Sequence, residues 1–194
     1  RRIGKTSLLA YISDPAVLRE YNIDPCRNLF VRVDCQHRLI QQEESQVYQR
    51  MLQCILDAAR KVGVDLAIRV SDGPEVIGAF QQALKETTRL GLKTILLLDG
   101  FEEMVGNRNL DIQFFNNQRA LGVAYDIDLT YVVTSCAHLG DLCSERPHLL
   151  GSPFFNVFHP IRLGLFGEQD SRRLIEDSLR RADACLPREL QELV

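Results

Sequence analysis

The chain of 194 residues has no apolar run approaching the roughly 20 residues that a membrane-spanning helix needs. It has no internal repeat and no low-complexity segment, which excludes a solenoid and a compositionally biased tail. Its six cysteines (Cys26, Cys35, Cys54, Cys136, Cys143, Cys185) form no C-x-x-C pair. A chain this long builds a core without disulfides, so they read as reduced cytosolic thiols, not as a metal site, and the protein as cytoplasmic. His37, His138, His148 and His159 lack ligand-like spacing, which argues against a histidine metal centre. Excess positive charge is missing too. A formal net charge of −3 gives no chain-wide basic footprint for nucleic acid and leaves room only for a local patch. No signal peptide is legible at the start, which reads as cut.

What is present is the composition of an ordinary globular domain, 45% hydrophobic and 25% charged. Surface scaling lets such a chain bury about 70% of its unfolded surface, enough for one large domain or one and a half. The chain is organised around its opening, Arg1-Arg2-Ile3-Gly4-Lys5-Thr6-Ser7-Leu8-Leu9. Gly-Lys-Thr running into an apolar helical pattern is the back half of a phosphate-binding loop; its leading glycine and the strand before it do not stand in this sequence. Gly4 lets the backbone wrap a phosphate, and a helix beginning near Lys5 aims free N–H groups at it. Lys5 is expected to meet the β- and γ-phosphates, Thr6 to hold Mg²⁺, and Ser7 to complete the cradle. A bare Gly-Lys-Thr also arises by chance, so the reading depends on the rest of the chain.

After a short helix interrupted at Asp14-Pro15, residues 29–34 read as a strand rich in β-branched and aromatic residues. From 43 to about 61, Val47, Met51, Leu52, Ile55, Leu56 and Ala59 recur at helical spacing. A second helix is expected from 74 to about 90, with Asp72 or Gly73 as cap and Pro74 at its first position. Two helices with no strand between them make a helical insertion. Residues 94–99 form an apolar run without alternation, as for a strand covered on both faces, and end in Asp99. A helix over 111 to about 124 and a strand over 129–135, ending in Thr134 and Ser135, follow. Residues 136–153 read as a long loop with one helical turn, and 154–163 as holding a short strand, around 156–158 or 161–163. A helix from 168 to about 181 has an acidic start and a basic end, and a last helix begins at Pro187 and stops uncapped. Truncation at both ends is the expectation.

Asp99 gives the opening loop its meaning. A buried strand ending in a carboxylate is what a Walker B element looks like, able to reach the Mg²⁺ held by the loop threonine; alone it would equally cap a turn. Glu102 is a candidate for activating water, or an ordinary acid in the first turn of a helix. Thr134 and Ser135, at a strand end facing the crevice, are candidates for reading the γ-phosphate, or simple turn-formers. Arg119 and Arg146 are candidates for a charge given to a neighbour's nucleotide, or surface arginines.

Together with the opening loop, Leu96-Leu97-Leu98-Asp99-Gly100-Phe101-Glu102, Phe114-Phe115-Asn116-Asn117-Gln118-Arg119-Ala120-Leu121 and Gly151-Ser152-Pro153-Phe154-Phe155-Asn156-Val157-Phe158 resemble the AAA+-related nucleotide-binding domain of bacterial STAND-type NTPases. The resemblance covers nearly the whole chain. It implies ATP and Mg²⁺ as cofactors, a helical lid beginning near Glu168, and a switch module in a multidomain signalling protein that self-associates and carries other domains. Family members often have an acid where this chain has Gly100, which implies slow hydrolysis, with Glu102 as the substitute. The expected fold is a three-layer α/β P-loop NTPase with a parallel sheet, its core over 1–165 and the start of a lid over 166–194. The expected function is ATP binding with weak hydrolysis. The rivals are a non-hydrolysing nucleotide-binding scaffold and a DNA-linked AAA+ loader or initiator.

Overall fold

A computed structural model describes residues 3–70, 73, 75–144, 146, 149 and 151–182. The cap expected at Asp72, Pro74 at a first helical position, His148, Cys185 and the helix expected from Pro187 lie outside those residues. Contacts divide the chain into two units, Ile3–His159 and Pro160–Val194.

The first unit is built on three strands, each grown from one of the apolar runs: β1 (Asn28–Asp34), β2 (Lys93–Asp99) and β3 (Leu129–Val133). They pair in parallel in the order β1-β2-β3, with Phe30 opposite Ile95, Asp34 opposite Asp99 and Leu96 opposite Tyr131. The central strand β2 is buried from Thr94 to Asp99, as both its faces are covered. In β1 the side chains alternate. Leu29, Val31 and Val33 are buried in the main core, while Arg32 and Asp34 are exposed on the opposite face. By register, Arg32, Asp34, Leu97 and Asp99 share that second face.

Three helices cover the first face: α3 (Glu44–Lys61), α4 (Glu75–Arg89) and α6 (Ile112–Gly122). α3 starts with a reciprocal capping box between Glu43 and Gln46 and buries Val47, Met51, Leu52, Ile55 and Leu56. α4 buries Val76, Phe80, Ala83 and Leu84, and the Thr87 hydroxyl meets that of Thr94 on β2 at 2.9 Å. The expected helical insertion is therefore present, with no strand between α3 and α4. On the second face α1 (Lys5–Ile12) sets Leu9 against Ile95 and Leu97, completing three layers. No helix among the described residues is long and apolar enough to cross a membrane.

Two local expectations change. Asp14-Pro15 ends α1 and also starts α2 (Pro15–Glu20), since the Asp14 carboxylate accepts from the Ala16 N–H at 2.7 Å and Pro15 sits at a helical start. The strand expected within 154–163 is absent: Pro153–Val157 forms a 3₁₀ turn, its start capped by the Ser152 hydroxyl, and 158–163 is irregular. Proline at the first position and a serine cap favour a helical turn over a strand here. The preceding loop holds one short helix, α7 (Leu139–Ser144), close to expectation.

That 3₁₀ turn buries Phe154 in an aromatic cluster with Phe101, Phe115, Phe155 and Phe158, with ring centroids 5.0 to 6.5 Å apart. The Ser152 hydroxyl also donates to Asn116 Oδ1 at 2.8 Å. The segments 114–121 and 151–158 are thus a matched pair that packs on itself. Nearby, Gln118 Nε2 donates to the Tyr48 hydroxyl at 3.0 Å, and the Tyr131 hydroxyl donates to Gln118 Oε1 at 3.1 Å and to the Gln118 backbone carbonyl at 2.9 Å, so the buried amide has partners at both its nitrogen and its oxygen. In the second unit, α8 (Glu168–Ala182) carries an exposed Arg172–Glu168 ion pair at 3.0 Å.

Candidate functional site

Gly4 caps α1 in the left-handed region, with φ 81° and ψ 13°, and offers no side chain to the helix. The first i→i−4 bond is from Leu8 N to the Gly4 carbonyl at 2.8 Å, so the N–H groups of Lys5, Thr6 and Ser7 precede the ladder. A helix start of this kind turns its first N–H groups towards whatever lies before it, which suits an anion. Lys5 is half-buried and makes no ion pair with a described residue; Ser7 is exposed.

From α1 the Thr6 hydroxyl donates to Asp99 Oδ2 at 2.7 Å across a separation of 93 residues. Asp99, at the crevice end of β2 and only 9% exposed, is the hub. Its Oδ2 also accepts from Arg32 Nη2 at 3.0 Å, and its Oδ1 accepts from the Thr134 hydroxyl at 2.8 Å. Burial pushes the Asp99 carboxyl up, but the hydrogen bonds from Thr6, Thr134 and Arg32 and the Arg32 charge outweigh it and hold the carboxyl below its ordinary value.

Thr134 lies just beyond β3, buried, and its hydroxyl also accepts from the Gly100 N–H at 3.0 Å. Its backbone continues the pairing, with Thr134 N to the Leu98 carbonyl at 2.9 Å and Phe101 N to the Thr134 carbonyl at 2.8 Å. This side chain is committed to Asp99 and to the turn after β2. Ser135 forms a turn bond instead, its hydroxyl accepting from Ala137 N at 3.2 Å.

Gly100 caps α5 (Phe101–Gly106) with φ 76° and ψ 47°. A left-handed residue between the carboxylate and the helix explains the glycine without reference to catalysis. Glu102 follows in the first turn of α5, and its Oε2 is buried with no hydrogen-bond partner among the described residues. The Cys136 thiol lies against the same carboxylate, whose hydrogen bond, with burial and charge, pushes it up, while Lys5 opposes. Burial pushes the neighbouring Cys35 thiol up further, with Asp34, Asp99 and Glu102 adding to it.

The two arginine candidates differ. Arg146 donates from Nη1 to the Asn107 carbonyl at 3.4 Å and from Nη2 to the Gly106 carbonyl, closing the C-terminal end of α5. Arg119 is half-buried on α6 and makes no ion pair with a described residue. His37 and His138 serve their own turns, accepting from Leu39 N and Gly140 N. The five described cysteines are free thiols.

Sequence reasoning missed Arg32. The signal was there, because Arg32 is a charged residue in mid-strand between buried Val31 and Val33. Thr6 and Asp99 converge as hydroxyl and carboxylate oxygens, the hard donor set that Mg²⁺ takes, and the Asp99 and Glu102 carboxylates both act on the Cys35 thiol.

No curated protein matches this chain. Among solved structures it is similar to the ORC2 protein of Aeropyrum pernix in its ADP form, at 12% identity and a TM-score of 0.66, over 92% of this chain and 43% of that one. It is also similar to a Walker-type ATPase of Pyrococcus abyssi, at 15% identity and a TM-score of 0.62, over 96% of this chain and 53% of that one. The chain thus spans about half, or less, of the length of these proteins. At such identities the likeness is one of fold, that of P-loop ATPases. The family described as Novel STAND NTPase 2 (nSTAND2) matches residues 1–186, and with the loop threonine bonded to the strand-end carboxylate the chain belongs to that family of P-loop NTPases.

Proposed function

We propose that this domain binds ATP with Mg²⁺, hydrolyses it slowly, and uses nucleotide state to control a conformational or oligomeric switch in a multidomain, cytoplasmic signalling protein. The observation that carries the reading is the 2.7 Å bond between Thr6 and Asp99, which brings the loop threonine against the strand-end carboxylate, the pair that would hold the metal. In this reading the N–H groups of Lys5, Thr6 and Ser7, behind Gly4, hold phosphate oxygens, and the Lys5 ammonium neutralises them. Thr6 and Asp99 would hold Mg²⁺, which when bound shields the β- and γ-phosphate charge. Thr134 holds the Asp99 carboxylate through its hydroxyl, and Ser135, after the end of β3, would touch the terminal phosphate. The unpartnered Glu102 oxygen is free to accept a proton from an attacking water. The segment from 166 onward, with α8, begins a lid, and partners are other copies and other domains of the same protein. Gly100 in place of an acid supports slow turnover, or none in the scaffold variant. A second reading, a DNA-linked initiator, draws on the likeness in fold to ORC2, and the net charge of −3 weighs against it.

The test is ATP binding and single-turnover hydrolysis in the intact protein. Asp99→Asn should remove the Mg²⁺-dependent part of ATP affinity and leave metal-free binding within about twofold, whereas equal loss with and without Mg²⁺ would make Asp99 structural. Glu102→Gln should slow hydrolysis by about 10² at unchanged ATP affinity. An unchanged rate would remove Glu102 from the chemistry.

A further inference from the structure

Arg32 sits on β1, on the face that also carries Leu97 and Asp99, and reaches diagonally to Asp99 Oδ2. That oxygen is the one that Thr6 also holds, so hydroxyl and guanidinium converge on a single carboxylate atom, the atom that a cation shared by Thr6 and Asp99 would take. Nη2 lies 3.0 Å away, and the Arg32 side chain is 45% exposed against 11% for Asp99. The guanidinium therefore approaches from the solvent side of a mostly buried carboxylate. Other charges in the neighbourhood are Lys5, Glu102 and Asp34; the Asp34 carboxylate accepts from the Gln36 N–H at 2.9 Å.

We propose that Arg32 is a positioning residue that occupies the metal-facing oxygen of Asp99 in the nucleotide-free protein, so that a divalent cation enters only by displacing its guanidinium. The inference rests on the reading of Thr6 and Asp99 as the metal site. Two cationic groups compete for one carboxylate oxygen, and the arginine, tethered to β1, holds it without loss of a hydration shell. A strongly hydrated Mg²⁺ sheds water reluctantly and does not compete well on its own. Nucleotide changes the balance because its phosphates supply further oxygen ligands to the cation and an alternative anion for the released, exposed guanidinium. Metal binding is thereby tied to nucleotide binding, and the free protein rests with its carboxylate neutralised and in place.

The experiment titrates the intact protein with Mn²⁺, followed by the paramagnetic resonance signal of the free ion, with and without ADP. Wild type should bind Mn²⁺ weakly alone and at least tenfold more tightly with ADP. Arg32→Gln should tighten nucleotide-free Mn²⁺ binding about tenfold and shrink the enhancement by ADP by the same factor. Arg32→Lys keeps the charge and should return Mn²⁺ binding towards wild type, a rescue that a loss of packing would not show. Arg32 is exposed on an edge strand, and far-ultraviolet circular dichroism with thermal melting verifies that both variants fold. If Arg32→Gln binds Mn²⁺ no more tightly than wild type without nucleotide, while Asp99→Asn abolishes Mn²⁺ binding with ADP, the Arg32 proposal is overturned and the metal site stands. If Asp99→Asn leaves Mn²⁺ binding with ADP unchanged, the underlying site is refuted instead, and the proposal with it.

Discussion

Replacing Thr134 with valine decides whether that hydroxyl reads nucleotide or holds the carboxylate. The two side chains have nearly the same shape, so the change opens no cavity and removes one donor and one acceptor. The hydroxyl donates to Asp99 Oδ1 at 2.8 Å and accepts from Gly100 N at 3.0 Å, and Thr134 is 8% exposed, so water does not readily replace either bond. A hydrogen bond to a charged group contributes about 1.5–3 kcal/mol, and leaving a buried N–H unmet costs about 1–3 kcal/mol. The two losses share one atom and are not fully additive, so about 3 kcal/mol is expected. For a domain of this size that lowers Tm by about 6–12 °C. Denaturant unfolding and calorimetry measure the loss, and parallel titrations with ATP and ADP measure selectivity, which should stay within about twofold of wild type because the hydroxyl faces Asp99. A variant that loses less than about 1 kcal/mol yet binds ATP selectively worse than ADP would refute this reasoning and support the sensor role.

Besides the Asp99, Glu102 and Arg32 substitutions above, two further outcomes are expected. Gly100→Ala places a Cβ on a residue with φ 76°; the nearest atom, Gln36 Cγ at 3.8 Å, leaves room, so only the backbone term of about 1–2 kcal/mol applies, and Gly100→Asn should lose less. Gly100→Glu adds the same strain; a faster single turnover in spite of it would support the missing acid as the cause of slow hydrolysis, and no gain would show that Gly100 serves the turn alone. The Asp99 carboxyl titrates below its ordinary 3.8, so its network stabilises the fold fully above that pH and ceases to as pH falls through the lower folded value. The stability difference between wild type and Asp99→Asn should shrink as pH drops below about 4 in chemical denaturation, and a gap independent of pH would show that the carboxylate charge is not what the network holds.

The strands were legible because each is a compact apolar run, and their observed limits fall within two residues of the reading. α3 and α4 were legible because Val47, Met51, Ile55, Phe80 and Leu84 follow a helical period. The pairing of loop threonine with strand-end aspartate was legible from chemistry alone. Other features were opaque because their cause lies elsewhere in the chain. The partner that explains Arg32 stands 67 residues away, and no local pattern names it. Gly100 looked like a missing acid, and the left-handed turn into α5 gives the glycine a conformational reason that the sequence did not show. Residues 156–158 or 161–163 looked like a short strand; Pro153 and the Ser152 cap, with an aromatic cluster to fill, make Pro153–Val157 a 3₁₀ turn instead. Asp14-Pro15 stops one helix and starts the next with the same two residues, an ambiguity that only the hydrogen bond to Ala16 resolves.

The bonds that converge on Asp99 span 93, 67 and 35 residues of chain. No short segment contains the Asp99 network, and β1 and β3 reach it only by closing long loops onto β2, so the entropy of loop closure must be met before these groups touch. Folding of this unit is therefore governed by non-local pairing, and the site exists only once the sheet has closed. On the proposed function, nucleotide captured there would bind the closed sheet and not its precursors. It acts as a thermodynamic clamp on the whole unit, raising unfolding stability with the logarithm of its free concentration.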